Sequence, residues 1–265
     1  MDWNDQDLQD LEKAAKLLEN PGFIARVSGL VGMPIEFVVD KLPSGTRDTI
    51  TKVVDVSLRS AANAAVMSLG KKRRAGPWVK GHKAAVGVTG AVGGVFGLGA
   101  LPIELPVTTT LILRSIADIA RSEGEDLSDA ASKLACLEVF AMGGPTTSDD
   151  ATESGYFAVR AALARAVSEA TKFVAQRSAV EEGAPVIVRL LAQIAARFNT
   201  VVGEKIVAQG VPVVGALGGA TINLLFIDHF QDMARGHFIV RRLERKHGGD
   251  EVRRKYEQIA AGRAS

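Results

Sequence analysis

Residues 84–121 read AAVGVTGAVGGVFGLGALPIELPVTTTLILRSIADIAR, and the fold turns on how this stretch is read. Residues 84–103 carry no charge, and twenty such residues are long enough to cross a bilayer as a helix. Six of them are glycine (Gly87, Gly90, Gly93, Gly94, Gly97 and Gly99), and Pro102 follows. Only eight are Val, Leu, Ile or Phe, which together offer roughly −3 to −4 kcal/mol towards insertion. A second charge-free run, residues 206–227, has eleven such residues but also Gln209, Pro212, Thr221 and Asn223. Both are marginal spans. They suit either the centre of a helical bundle or a partly inserted surface.

The glycines favour close helix contact. Gly90 and Gly94, Gly93 and Gly97, and Gly215 and Gly219 are each four apart, and a missing Cβ at i and i+4 lets two backbones approach. The segments Gly90-Ala-Val-Gly-Gly94 and Gly215-Ala-Leu-Gly-Gly219 are nearly identical. Each follows a lysine, Lys83 or Lys205, and precedes a helix containing Asp118-Ile-Ala or Asp232-Met-Ala. An internal repeat is suggested, with two central Gly-rich apolar helical hairpins.

Outward from these runs, the apolar spacing is helical throughout. Leu8, Leu11, Ala15 and Leu18 mark one helix, stopped by Asn20-Pro21-Gly22. Ile50, Val53, Val54, Leu58, Ala61 and Ala65 mark the next, after a turn at Pro43–Gly45. Helices are predicted over Leu105–Arg121 and Asp126–Met142, the latter ended by Gly143-Gly144-Pro145. Thr147 and Asp150 form a capping signal ahead of a face running Tyr156, Val159, Leu163, Val167, Ala170 and Val174. A short helix is predicted through Val188, Leu191, Ile194 and Phe198. Period-2 strands and hairpin turns are not evident, so the fold class is all-α, a multi-helix bundle of nine to eleven helices. A single domain is expected over 1–265, with 1–7 and 247–265 as flexible or peripheral tails.

Composition narrows the class. The chain has 265 residues, 47% of them apolar, which excludes global disorder. One cysteine, Cys136, excludes an internal disulfide framework and a multi-Cys zinc site. The start is acidic and has no basic region followed by an apolar one, so a cytoplasmic address is expected. The net charge of +2 hides an uneven distribution. Residues 71–83 carry +6, residues 235–255 carry +5, and the remainder carries −9.

Motifs for chemistry are sparse. Nucleophile-elbow, zinc-helix and phosphate-loop patterns are missing, and no cofactor or metal is expected. The Ser68-x-x-Lys71 match sits in a cation run where the lysine stays charged. Glu244 and His247 form a single Glu-x-x-His, where a helical di-metal site wants two pairs. A polar cluster is more promising: Glu104, Arg114, Asp118 and Arg121 near one helix face, with Glu138 as a further acid in an apolar helix. It reads as a structural ion-pair network or as a polar site able to support hydrolysis.

The basic segments have three readings. Lys71, Lys72, Arg73, Arg74, Trp78, Lys80 and Lys83 precede the first apolar run, and Arg241, Arg242, Arg245 and Lys246 follow the second. Cations beside apolar helices suit an anionic cytoplasmic leaflet, with tryptophan at the headgroup level. A plain solvated face is the alternative. Nucleic acid is disfavoured, because one aromatic accompanies the first cluster and recognition motifs are missing.

The stretch from Thr89 to Arg121 resembles the core segment of the bacterial EcsC family. Leu137-Glu-Val-Phe-Ala-Met-Gly-Gly144 is similar to it as well, as are Pro212–Asn223 and the chain on to Glu244. The resemblance covers roughly residues 8–246. It implies an all-α fold and membrane association. The family takes its name from a gene beside an ABC-transporter pair and has no established catalytic residues, although some relatives carry hydrolase- or peptidase-like labels. Together these features lead us to expect a non-enzymatic, peripheral inner-membrane-associated or lipid-interacting protein. Its partners would be an anionic membrane surface or lipid, or a membrane protein complex. A hydrolase using the Glu/Asp/Arg cluster and a nucleic-acid binder are the alternatives.

Overall fold

The computed structural model describes residues 3–19, 23–31, 44–68, 81, 86, 101–142, 155–177, 184–210 and 218–264. Among these residues there are nine α-helices and no strand. They are α1 (Asp5–Leu18), α2 (Phe23–Val31), α3 (Ser44–Ser68), α4 (Leu101–Ser122), α5 (Ala130–Glu138), α6 (Gly155–Arg177), α7 (Pro185–Gly210), α8 (Gly218–His247) and α9 (Gly249–Ala264). A 3₁₀ turn, Val139–Ala141, extends α5.

Local chemistry sets several boundaries. Asn4 caps α1 by accepting from the Asp7 backbone N–H at 2.8 Å. The helix expected from Asp126 begins later, because Asp129 caps α5 through the Ser132 N–H at 3.2 Å and Asp126 is spent on a turn with Ser128. The helix expected from Leu105 begins at Leu101, with Pro102 in its first turn, where the missing N–H costs nothing. The short helix expected around Val188–Phe198 is 26 residues long, because its apolar face continues without interruption through Val201–Ala208. The Thr147–Asp150 capping signal and the Gly143–Pro145 stop lie outside the described residues.

α8 is the axis of the bundle. α1 packs antiparallel to it, placing Asp7 beside Lys246, Asp10 beside Arg242 and Leu18 beside Gly236. α4 runs parallel to it, with Glu104 meeting Asn223 and Ser115 meeting Gln231. α7 is antiparallel, with Lys205 beside Phe226 and Phe198 beside Phe230. Five phenylalanines, Phe23, Phe140, Phe198, Phe226 and Phe230, form one cluster of edge and tilted contacts against α8.

The charge-free run 206–227 is shared between the last turn of α7 and the first turns of the antiparallel α8, with residues 211–217 outside the described residues. Among the described residues the glycine with the tightest surroundings is Gly236, where a Cβ would sit 2.5 Å from Leu18 Cγ. Gly219 lies in the first turn of α8, while Gly90, Gly93, Gly94, Gly97 and Gly215 lie outside the described residues. The expected tails are packed. Gly248, at φ +90°, turns the chain from α8 into α9, and Tyr256 is fully buried with its hydroxyl donating to Glu19 at 2.8 Å. At the other terminus, Trp3 stacks on His247 with ring centroids 4.2 Å apart.

Among the described residues one helix, Pro185–Gln209 within α7, is long and apolar enough to cross a membrane by composition. Its second half is enclosed by the bundle, residues 201–208 all being buried, and it contains Glu204 and Lys205. That is the pattern of a core helix.

Candidate functional site: two polar centres and an apolar rim

Among the described residues the predicted polar cluster assembles only in part, as the pair Asp118 and Arg121. Ten helical positions separate Glu104 from Arg114, which turns them about 80° apart around α4. Glu104 therefore faces the interior while Arg114 is exposed. Asp118 accepts from Arg121 at 2.8 Å, half-buried, one turn away. Glu138 lies buried on α5, in the field of Arg160, Arg241 and Glu244. Among the described residues no set of acids converges with Arg114, and Glu104, Asp118 and Glu138 lie in separate surroundings.

The first polar centre is a sealed contact at the start of α4 and α8. Lys205 Nζ, fully buried, donates to Glu104 Oε1 at 2.7 Å. Asn223 Nδ2 donates to the same oxygen at 2.9 Å and to the Val86 carbonyl at 3.4 Å. The lysine also lies 5.2 Å from the Phe226 ring centroid. Burial pushes the Lys205 ammonium below the usual lysine range, and the Glu104 carboxylate opposes that shift. Glu104 was legible as an acid in an oily segment. In the sequence Lys205 stands out only as a lysine upstream of the glycines, and Asn223 only as a polar interruption.

The second centre is a belt around the end of α8. Arg241 bonds Glu125 through two nitrogens, at 2.9 and 3.1 Å, and Arg245 reaches the same carboxylate. Ser132 adds a hydroxyl at 2.7 Å. Arg242 divides between Glu123 and Asp10, each at 2.8 Å. Lys246 and His247 both reach Asp7 Oδ2, at 2.6 and 2.9 Å. Burial raises the Glu125 carboxyl, but hydrogen bonds and charge from Arg241, with Ser132 and Arg245, leave it below the usual range. The Lys246 hydrogen bond holds Asp7 low despite its burial.

Beside the belt, Arg160 bonds Glu244 through two nitrogens at 2.7 and 3.1 Å. The Tyr156 hydroxyl shares a 3.0 Å hydrogen bond with His237 Nδ1. Burial, with Arg160 and Arg241 nearby, keeps His237 neutral. Burial also raises Glu138, with Arg160 and Arg241 pulling the other way. Cys136 is buried and its thiol is raised, which makes it a poor nucleophile.

The structure thus turns three predicted membrane-facing arginines, Arg241, Arg242 and Arg245, towards internal acids. Lys71, Lys72, Arg73, Arg74, Trp78, Lys80 and Lys83 lie outside the described residues. Among the described residues no group of three or more His, Cys, Asp or Glu side chains could hold a metal ion.

Among the described residues four large apolar side chains are exposed, and one of them, Val56 on α3, stands apart from the other three. Ile103 is 76% exposed and Val107 45%, one turn apart on the outer face of α4. Leu224, 36% exposed, adjoins Asn223 on α8. Because Glu104 and Asn223 touch, these side chains rim one end of the bundle. Both charge-free runs meet the bundle there.

A sequence profile described as the EcsC protein family matches residues 5–243. No curated protein and no solved structure matches the chain.

Proposed function

The chain belongs to the EcsC protein family, and from that premise we propose that it is a non-enzymatic protein working peripherally on the cytoplasmic face of the inner membrane, in contact with anionic lipid. The observation that carries this reading is the apolar rim of Ile103, Val107 and Leu224. An exposed apolar cluster at the mouth of two charge-free runs suits a bilayer. The acid-free basic segment 71–83 ends three residues before Val86, whose carbonyl is bonded at the same end of the bundle. Each cation near an anionic surface is worth about 1 kcal/mol. With Arg241, Arg242 and Arg245 bonded to acids, this segment carries the electrostatic part.

Co-sedimentation with phosphatidylcholine vesicles, with and without phosphatidylglycerol, tests the reading. The full chain should pellet with the anionic vesicles at low salt and be partly released at high salt. Equal failure to pellet with both vesicle types at low salt overturns it.

A further inference from the structure

We propose that the chain enters the bilayer end-on through the first two turns of α4, and that Arg114 is the residue that grips a lipid phosphate. This deepens, and rests on, the membrane reading above. The outer face of α4 changes character along its length. It begins with Pro102, Ile103 and Val107, all wholly or largely outside the core, passes Thr110, and then presents Arg114. At 1.5 Å per residue, Ile103 lies about 6 Å beyond Val107, and Arg114 lies about 10 Å behind it. An interfacial element buries its apolar part about 5–10 Å into the boundary of headgroups and acyl chains. With Val107 at that boundary, Ile103 sits among the acyl chains and Arg114 sits at the phosphates.

Arg114 is suited to the role. It is exposed, and no hydrogen bond or ion pair engages it among the described residues. The acid one turn on, Asp118, is bonded to Arg121. A guanidinium makes paired hydrogen bonds to phosphate, and its long stem can lie along apolar surface.

End-on entry follows from what surrounds the helix. A flat α4 would bring Arg114, Asp118 and Arg121 to the same depth as Ile103, which charged groups resist. On α8, Leu224 shares the rim but half-buried Asp228 follows one turn later, limiting immersion to the same shallow level.

The native Cys136 is fully buried, so cysteines introduced at single surface positions can be labelled selectively. Ile103→Cys, Val107→Cys and Arg114→Cys would each carry an environment-sensitive NBD probe on the full chain. Vesicles would hold nitroxide quenchers in the acyl chains or at the headgroup. End-on entry predicts a graded result. Position 103 shifts most to the blue and is quenched from the acyl region, position 107 is intermediate, and position 114 is quenched only from the headgroup.

Arg114→Gln should weaken partitioning onto phosphatidylglycerol vesicles about fivefold, the change equivalent to about 1 kcal/mol, while Arg114→Lys retains most of it. Equal blue shifts at 103 and 114 would mean a flat helix and overturn the proposal. A chain that pellets with vesicles but shows no shift at 103 also overturns it, leaving the peripheral reading intact with the basic segment as the anchor. A chain that pellets with no vesicle overturns both. Circular dichroism of each variant confirms the fold.

Discussion

At the start of α8, one lysine, one glutamate and one asparagine share a contact sealed from water. At its end, Arg241, Arg242, Arg245, Lys246 and His247 are distributed over Glu125, Glu123, Asp10 and Asp7, with water at the edges. The chemistry is the same and the energetics are opposite. A buried pair repays its desolvation only through its partner, so loss of one member strands the other. A shared, half-exposed network loses one bond at a time, and the freed groups rehydrate. One centre fixes how α4, α7 and α8 meet. The other ties α1, the residues just beyond α4, and α8 together redundantly.

The largest effect should come from breaking the sealed centre. Glu104→Ala leaves Lys205 enclosed without its counter-charge, and should cost about 3–5 kcal/mol in chemical denaturation. The double change Glu104→Leu with Lys205→Met should recover most of that loss, because neither charge then needs solvating. If the single and double variants are equally unstable, the pair's isolation is not what matters.

The belt should give less. Glu125→Ala removes acceptors for Arg241, Arg245 and Ser132 and should cost about 2 kcal/mol, less in high salt. Its pH dependence has a definite sign. Glu125 and Asp7 are held below their ordinary values of 4.5 and 3.8, so their contribution is complete above those values. It is lost as pH falls through the lower folded values. An acid-unfolding midpoint that does not move upward in Glu125→Ala would count against the belt.

A third test lies between the two centres. Gly236→Ala forces a Cβ against Leu18, and overpacking of about 1–3 kcal/mol exceeds the gain of about 1 kcal/mol in helix propensity. The net loss, about 1 kcal/mol, should shrink when Leu18→Ala accompanies it. Glu138→Gln should act in the other direction. Burial raises this carboxyl, so an ionised Glu138 costs stability once the pH rises above the ordinary value of 4.5. The variant should be the more stable at neutral pH and indistinguishable below pH 4.5. Smallest of all, Ile103→Asp should change stability by less than about 0.5 kcal/mol, since the side chain is exposed, while reducing vesicle binding.

Legibility followed range. Faces repeating every three or four residues announced α1, α3 and α6, and residues such as Leu11, Leu58 and Leu163 are buried as that spacing predicts. Glu104 and Glu138 stood out as acids in oily helices, and both are buried. Their surroundings were not legible. The spacing groups Arg114 with Glu104 in one polar cluster, yet Arg114 is exposed, because α4 presents it on a different face from Glu104. The basic run after residue 235 looked like a docking surface because its acids come from α1 and from the residues just beyond α4. Residues 247–264 looked like a tail because apolar anchors are few, and Tyr256 needs Glu19 and Phe157 to be recognised as one.

By itself the sequence determined the helical class, the family and the uneven placement of charge. Helix formation and apolar periodicity are local, and a run of residues states them directly. Which cation meets which acid was decided by tertiary structure alone. Lys205 and Glu104 are 101 residues apart, Arg241 and Glu125 are 116 apart, and Lys246 and Asp7 are 239 apart. No spacing rule reaches so far. The packing of α1, α4 and α7 around α8 leaves Ile103, Val107 and Arg114 outside, and it therefore defines the surface on which the proposed membrane contact would act.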